Sequence, residues 1–134
     1  MRGLRWLAPV VAMLLAAAAS GFSGSAPPTT VRVILDYGND VEKHYNALPW
    51  KDGLTVLDAL KLARESKPGI EFRISGNGET ALVTEIDGFA NRSGGSDARN
   101  WVFRVNDRLA TRSCGVEVLR PGDVALWKYD QWRD

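Results

Sequence analysis

The stretch that decides the fold is LTVLDALKLARESK, residues 54–67, the one segment after residue 30 that reads as a helix. Thr55 and Asp58 have the spacing of a capping box, in which a hydroxyl and a carboxylate bond the free amides of the first turn. Apolar side chains then recur every three or four residues, so they gather on one face. Proline and glycine at positions 68 and 69 end the helix. A helix with one apolar face needs a sheet to lie on.

The segments around this helix alternate between apolar and polar residues, as half-buried strands do. The strands are predicted over residues 31–37, 41–48, 70–75, 80–86, 101–105 and 124–129. Their apolar phases favour one buried sheet face and one polar face. The polar face is expected to carry Arg32, Asp36, Glu42, His44, Glu85 and Arg104. The prediction is an α+β fold, a β-grasp-like mixed sheet with one helix packed on one face.

The N-terminal segment has the pattern of a secretory signal peptide. Arg2 and Arg5 precede an apolar run, and Ala17, Ala18 and Ala19 at its end supply the small residues of a signal-peptidase site. The run is shorter than the about 20 apolar residues of a comfortable membrane span, although an uncleaved anchor is the alternative. The predicted division is residues 1–19 as signal peptide, 20–30 as flexible tether, 31–130 as the folded domain and 131–134 as tail. We expect a secreted or extracytoplasmic protein of the periplasm or cell envelope, with no stable membrane span after cleavage.

The charges of the chain are nearly balanced. It carries 17 basic and 16 acidic residues, and removal of Arg2 and Arg5 leaves 15 basic residues against the 16 acidic ones. No run of like charge forms a stripe for nucleic acid or a membrane surface, so we expect no nucleic-acid partner. Cys114 is the only cysteine, and the fold therefore has no internal disulfide framework. A domain of about 110 residues buries enough surface to fold on one hydrophobic core.

Four short motifs occur in an order that is typical of a known family. TVLDAL at 55–60 opens the helix, VTEIDG at 83–88 ends a strand, WVFRVN at 101–106 leads another strand and PGD at 121–123 makes a turn. Together they resemble the transcobalamin-like C-terminal domain family over residues 31–130. The resemblance implies a β-grasp-like sheet with one helix, which agrees with the fold predicted from the alternation.

The resemblance also implies a binding role. In the vitamin B12 carriers this domain covers one side of the corrin, and a separate helical barrel supplies the other side. A chain of 134 residues is too short to contain that barrel, and a one-sided site buries less of a ligand than an enclosed pocket does. The favoured function is a secreted, non-enzymatic binding module that contacts a corrinoid or another small ligand together with a partner. A cell-envelope module that binds protein or polysaccharide is the alternative.

Two tryptophans and one polar loop are the candidate contacts. Trp50 and Trp132 lie outside clear strands, and exposed aromatic rings stack on flat ligands or sugars, although single exposed apolar residues are also ordinary. Trp101 and Trp127 lie on strands and are predicted to be core. The segment 91–100 is the longest predicted loop, suited either to function or to a mobile linker. Its candidate ligand-binding residues are Asn91, Arg92, Asp97 and Asn100.

No catalytic or metal-binding arrangement stands out in the sequence. His44 and Cys114 are the only residues of their kinds, and a nucleophilic pair would need them adjacent with an orienting third group. His44 is in phase with Glu42, which favours an exposed structural histidine. Cys114 is predicted to be a small, partly buried residue, with an intermolecular disulfide as the alternative. We therefore expect no catalysis, no metal and no resident cofactor, with cobalamin considered only as a ligand; a small secreted enzyme that uses these two residues is the remaining alternative.

Overall fold

The structure is a computed structural model that describes residues 29–131. Its strands are β1 (Thr30–Asp36), β2 (Glu42–Pro49), β3 (Phe72–Ser75), β4 (Leu82–Ile86), β5 (Phe89–Ala90), β6 (Arg99–Val105), β7 (Arg108–Leu109) and β8 (Val124–Gln131). One α-helix, α1 (Val56–Glu65), and one 3-10 turn (Gly78–Thr80) complete the described part. The predicted signal peptide, most of the predicted tether and Trp132 lie outside the described residues.

The larger sheet has five strands in the order β2-β1-β8-β6-β7. At its centre β1 and β8 run parallel, with Leu35 opposite Trp127, while the other neighbours are antiparallel. A mixed sheet of this kind requires a long crossover between its parallel strands, and the helix and the smaller sheet lie in that crossover. The α+β, β-grasp-like fold predicted from the sequence is confirmed.

The smaller sheet is a correction to the sequence prediction. Strands β3, β4 and β5 form a separate three-stranded sheet, so Glu85 does not share a face with Arg32 but pairs with Arg73 at 3.5 Å. A register shift between Arg73 and Ile74 comes from an extra residue in β4, and Ile74, on the edge strand β3, is 40% exposed rather than buried. Alternation predicts which side of a strand is buried but not which sheet the strand joins. The 3-10 turn also replaces the start of the strand predicted at 80–86.

The helix follows the prediction closely. The Thr55 hydroxyl accepts a bond from the Asp58 amide, and the Asp58 carboxylate accepts one from the Thr55 amide, both at 3.1 Å. The chain leaves helical geometry at Ser66, just before the predicted proline stop. The predicted apolar face is buried through Val56, Leu57, Ala59, Leu60 and Ala63. In the part of the chain that the structure describes, no helix is long and apolar enough to cross a membrane.

One hydrophobic core joins the helix to both sheets. Its largest fully buried side chains include Trp127 and Leu35 of the large sheet, Ile86 of the small sheet and Leu60 of α1. Trp101 is buried as well, so the prediction that Trp101 and Trp127 belong to the core is confirmed. Burial of these side chains supplies the main driving force for folding. The two sheets are therefore parts of one packed unit.

Candidate functional site

Asp87, which belongs to the VTEIDG motif, connects the two sheets. Its carboxylate accepts hydrogen bonds from the Tyr37 hydroxyl, from the Lys43 ammonium at 3.0 Å and from the Glu71 amide at 2.9 Å. Tyr37 follows β1 and Lys43 lies on β2, whereas Asp87 lies in the turn between β4 and β5. Three donors from separate segments thus meet on one carboxylate, an arrangement that braces the fold.

The electrostatics of this cluster do not suit acid or base chemistry near neutral pH. Burial raises the pKa of Tyr37 well above its ordinary value, and the hydrogen bond to Asp87 raises it further. Burial alone would raise the pKa of Asp87, but the hydrogen bonds from Tyr37, the Glu71 amide and Lys43 hold that pKa below its ordinary value. The phenol therefore stays protonated and the carboxylate stays ionised, so neither group exchanges a proton in that range.

Two further motif residues brace the other end of the large sheet. The Asn106 amide donates to the Asp123 carboxylate at 2.8 Å and accepts from the Val124 amide at 2.9 Å. The second Asp123 oxygen accepts from the Arg120 amide at 2.8 Å. Asn106 and Asp107 both adopt positive φ in the tight turn between β6 and β7. Asp87, Asn106 and Asp123, which belong to three of the motifs that carry the sequence resemblance, therefore hold the fold together.

Asn91, a predicted ligand contact, is engaged inside the fold. Its side-chain nitrogen donates to the Val83 carbonyl at 3.0 Å, and its side-chain oxygen accepts from the Trp101 amide at 2.9 Å. These bonds tie β4 to β6, and so they connect the small sheet to the large one. The geometry assigns Asn91 a structural task.

The loop predicted over residues 91–100 is shorter in the structure. Arg92 and Arg99 exchange two backbone hydrogen bonds, of 2.8 and 3.0 Å, so the open loop is confined to residues 93–98. Asn100 belongs to β6, and Asp97 is exposed in the loop. The predicted loop was too long because backbone hydrogen bonds between polar residues cannot be recognised from the sequence. Asn91 and Asn100 line a common cavity of about 440 Å³, whose lining does not include Arg92 or Asp97.

Trp50 is half-buried rather than a freely exposed ring. It packs against the core, and its indole nitrogen donates to the Leu119 carbonyl at 2.8 Å. The ring lines a cavity of about 290 Å³ together with Lys61 and Leu62 of α1. The sequence neighbours of Trp50 are charged, which suggested exposure, but the contact that fixes the ring comes from a residue 69 positions away.

His44 and Cys114 have separate environments. His44 is exposed and lies 2.9 Å from the Glu42 carboxylate, whereas Cys114 is 2% exposed with its sulfur 3.8 Å from the Ala81 carbonyl. Burial raises the pKa of the Cys114 thiol, which disfavours the nucleophilic thiolate. No contact joins the two side chains. Residues 29–131 also contain no group of three or more His, Cys, Asp or Glu side chains placed to hold a metal.

A groove that the sequence did not reveal is the strongest candidate site. It consists of two cavities, of about 240 and 620 Å³, that share Leu109 and Ala110. The smaller cavity is lined mainly by apolar residues, among them Leu82, Val83, Trp101, Phe103 and Trp127. The larger cavity is lined mainly by polar residues, among them Asn106, Arg108, Thr111, Glu117 and Arg120. We call the pair the bipartite groove.

Exposed apolar side chains concentrate at the bipartite groove. The described residues contain five exposed large apolar side chains, and three of them line it: Leu82, Leu109 and Val118, at 52%, 58% and 51% exposure. Apolar surface gathered in this way marks a binding site more often than scattered single residues do. Trp127 lines the smaller cavity, and its indole nitrogen is buried with no hydrogen-bond partner among residues 29–131. Buried donors are normally paired, so this one stands out.

The tract that forms much of the bipartite groove, residues 108–120, has no strand or helix periodicity, which is why sequence reasoning passed over it. Its one usable signal is a set of arginines at positions 108, 112 and 120. The opposite wall comes from Leu82 and Val83 of the small sheet, far away in sequence. Only the folded chain brings these parts together.

Solved structures share the fold at low sequence identity. A protein described as a candidate metal-binding protein from Ruminococcus gnavus matches with a TM-score of 0.57 and 14% identity, covering 77% of this chain and 97% of its own. Haptocorrin in complex with Cbi matches with a TM-score of 0.62 and 15% identity, covering 78% of this chain. The match spans 25% of the haptocorrin chain. These likenesses agree with the fold that the sequence resemblance implied.

The sequence comparisons give a family. No curated protein matches the chain. A family model described as "Domain of unknown function (DUF4430)" matches residues 53–131, which include the helix, the small sheet, the bipartite groove and the last strand. This match spans more than half of the chain. The chain therefore belongs to the DUF4430 family.

Proposed function

We propose that this domain is a non-enzymatic binding module that holds a small ligand in the bipartite groove, together with a partner that covers the open side. The observation that carries the proposal is the convergence of Leu82, Leu109 and Val118 on one groove. Leaving three such side chains in water is unfavourable unless something covers them. A bound ligand removes that surface from water.

A corrinoid is the first ligand to test. The fold resembles that of haptocorrin, a protein solved in complex with Cbi, and the motif order resembles that of the transcobalamin-like domains. The larger cavity, at about 620 Å³, is within the size range of small-molecule sites. Both cavities are open to solvent, so a second protein surface is needed to enclose a large flat ligand. The signal-peptide pattern supports a module that works outside the cytoplasm.

The proposal that the module is not an enzyme rests on its ionisable groups. Asp87 is ionised and fully occupied as a brace, and Tyr37 is held protonated beside it. Cys114 is buried with a raised pKa, and His44 is paired with Glu42 at the surface. None of these groups combines a free reactive atom with a position in the bipartite groove. Catalysis needs both.

A fluorescence titration of the purified protein with cobalamin and cobinamide tests the proposal. Trp101 and Trp127 line the smaller cavity and report occupancy directly, while Trp50→Phe removes a tryptophan that lines a different cavity. We expect saturable quenching that Leu82→Ser and Leu109→Ser together weaken by about tenfold, since each loses a buried apolar contact. Both side chains are exposed in the free protein, so the double variant should remain folded.

Val41→Ser is the matched control, because Val41 is equally exposed at 50% and does not line the bipartite groove. Quenching that Val41→Ser reduces as strongly as the double variant would contradict a site in the bipartite groove. No quenching by either corrinoid, with or without candidate partner proteins from the cell envelope, would remove corrinoids from consideration.

A second candidate function is a cell-envelope module that binds polysaccharide. It is favoured by Trp50, whose ring lines its own cavity beside Lys61 and Leu62. Sugar rings stack on half-exposed tryptophans of this kind. Titration with soluble envelope oligosaccharides should then quench the wild-type fluorescence, and Trp50→Phe should remove most of that change. Quenching that survives in Trp50→Phe would place the sugar elsewhere.

A further inference from the structure

We propose that the ligand of the bipartite groove is an amphipathic anion, with an apolar body in the smaller cavity and a carboxylate or phosphate group in the larger one. This inference rests on the binding groove of the proposed function but not on a corrinoid as its occupant, and it specifies the chemistry of the ligand. It is carried by the charges around the bipartite groove, which are independent of the exposed apolar side chains that located it.

Unpaired arginines concentrate at this site. Residues 29–131 contain nine arginines, and within that part of the chain five of them have no side-chain hydrogen bond, ion pair or aromatic stacking partner. Three of those five, Arg108, Arg112 and Arg120, line the bipartite groove, and all three are exposed. A guanidinium presents a planar set of donors that matches carboxylate and phosphate oxygens.

The acidic residues nearby do not neutralise this charge. Of the two acidic residues that line the larger cavity, Asp123 is committed to the Asn106 side chain and the Arg120 amide, at 2.8 Å each. Glu117 forms no ion pair with any described residue. The lining of the bipartite groove therefore carries three guanidinium groups against two carboxylates, a net charge of +1. An anion entering the bipartite groove meets a net positive charge.

The apolar and cationic parts of the bipartite groove are next to each other. Leu109 lines both cavities, Arg108 stands beside it in the chain, and Arg112 lines the smaller cavity with Phe103 and Trp127. A ligand that fills the smaller cavity thus extends toward the guanidinium groups.

Two fluorescent dyes that differ by one anionic group test this inference on the purified protein. Anilinonaphthalene sulfonate carries a sulfonate, and N-phenyl-1-naphthylamine has the same aromatic body without it. We expect the anionic dye to bind about tenfold more tightly than the neutral dye, because charge-assisted hydrogen bonds to arginine favour it. The triple variant Arg108→Gln, Arg112→Gln, Arg120→Gln should lose this preference and keep its affinity for the neutral dye.

Lys67→Gln is the control, since it removes one exposed positive charge at the end of α1, outside the lining of the bipartite groove. Laurate and dodecyl phosphate, used as competitors of the dye, then separate a carboxylate preference from a phosphate preference. Far-UV circular dichroism should be unchanged in every variant, because all four side chains are exposed.

The outcomes separate this inference from the proposed function. Equal affinity for the two dyes, with both lost in the Leu82→Ser, Leu109→Ser variant, would overturn the anionic ligand and leave a binding groove. Dye affinities that are unchanged in both the leucine variant and the arginine variant would overturn both proposals. A dimer in light scattering that Leu109→Ser dissociates would show that a second copy covers the bipartite groove, which also overturns a small anionic occupant.

Discussion

Asp87 concentrates more of the fold's polar contacts than any other side chain described above. It receives a phenol, an ammonium and a backbone amide from three separate segments. Hydrogen bonds to an ionised acceptor are stronger than neutral ones. Removing such an acceptor leaves its partly buried donors without a partner, which lowers the free energy of unfolding.

We expect Asp87→Asn to lower the free energy of unfolding by about 1–3 kcal/mol, because an amide is a poorer acceptor and turns two donors of its own toward a site full of donors. Urea denaturation monitored by circular dichroism measures this change. Asp52→Asn is the control, since Asp52 is exposed and its carboxylate forms no hydrogen bond or ion pair with a described residue. An equal effect of the two substitutions would contradict the role assigned to Asp87.

The same carboxylate gives the stability a defined pH dependence. The pKa of Asp87 is lowered in the folded state, so its contribution is complete above the ordinary aspartate pKa of about 3.9 and is lost as the pH falls through the folded value. The wild-type protein should therefore lose more stability between about pH 5 and pH 2 than Asp87→Asn does. Matched losses in the two proteins would show that other carboxylates control the acid transition.

The sequence predicts contacts between residues that are close in the chain, but it does not predict the bond between Tyr37 and Asp87. Thr55 and Asp58 cap the helix at a spacing that is visible in the chain, and the structure reproduces it. Tyr37 and Asp87 are 50 positions apart, and no pattern in the residues between them indicates a hydrogen bond. The Asp-Gly pair at 87–88 reads locally as a turn. Its cross-sheet role depends on packing that only the folded chain supplies.

At the scale of elements, the helix was predictable because a cap, a period and a stop all lie within one short segment. The strands were predictable as elements but not in their pairing. Each register shift inserts one extra residue, in β2 and in β4, so the inward-facing side chains there are three positions apart instead of two: Tyr45 and Leu48, and Val83 and Ile86. The strand predicted over 41–48 begins one residue too early, since Val41 precedes β2 and is 50% exposed.

The side-chain amide of Asn91 links β4 to β6, so its removal should weaken the connection between the two sheets. Asn91→Ala leaves the Val83 carbonyl and the Trp101 amide without these partners. We expect a loss of about 1–3 kcal/mol in the free energy of unfolding. Asn100→Ala, at a residue of the same cavity whose side chain forms no hydrogen bond with a described residue, should change stability much less. Chemical denaturation of both variants measures the difference.

At the scale of the whole molecule, one core joins both sheets, so we expect them to unfold together. Cys114 reports this directly, because it is 2% exposed and its pKa is raised by burial. Its thiol should be unreactive toward a disulfide reagent in the native protein, and its labelling in urea should follow the loss of circular dichroism. Labelling that precedes the global transition would show that the segment around Cys114 separates from Ala81 before the rest of the molecule unfolds.

The candidate site was the least predictable part of the molecule. Trp50 and Asn91 looked available in the sequence because their neighbours are polar, yet both are engaged by distant backbone groups. The bipartite groove could not be predicted because its walls come from β4, β6, β7, β8 and the irregular tract 110–120. Sequence periodicity identifies the residues that face the core from a regular helix or strand. Residues that come from the ends of several elements and from the loops between them show no such periodic pattern in the sequence.

The parallel pairing of β1 with β8 also sets the order of folding. Arg32 lies beside Val124, more than ninety positions later in the chain, so the middle of the large sheet forms from its most distant parts. A topology with such high contact order folds slowly. Until residue 131 has emerged from the ribosome, β1 has only the β2 hairpin as a neighbour, and an isolated hairpin is marginal. The large sheet is therefore completed only after β8 has been synthesised, and until then the chain keeps the unfolded state that the export predicted from its N-terminal pattern requires.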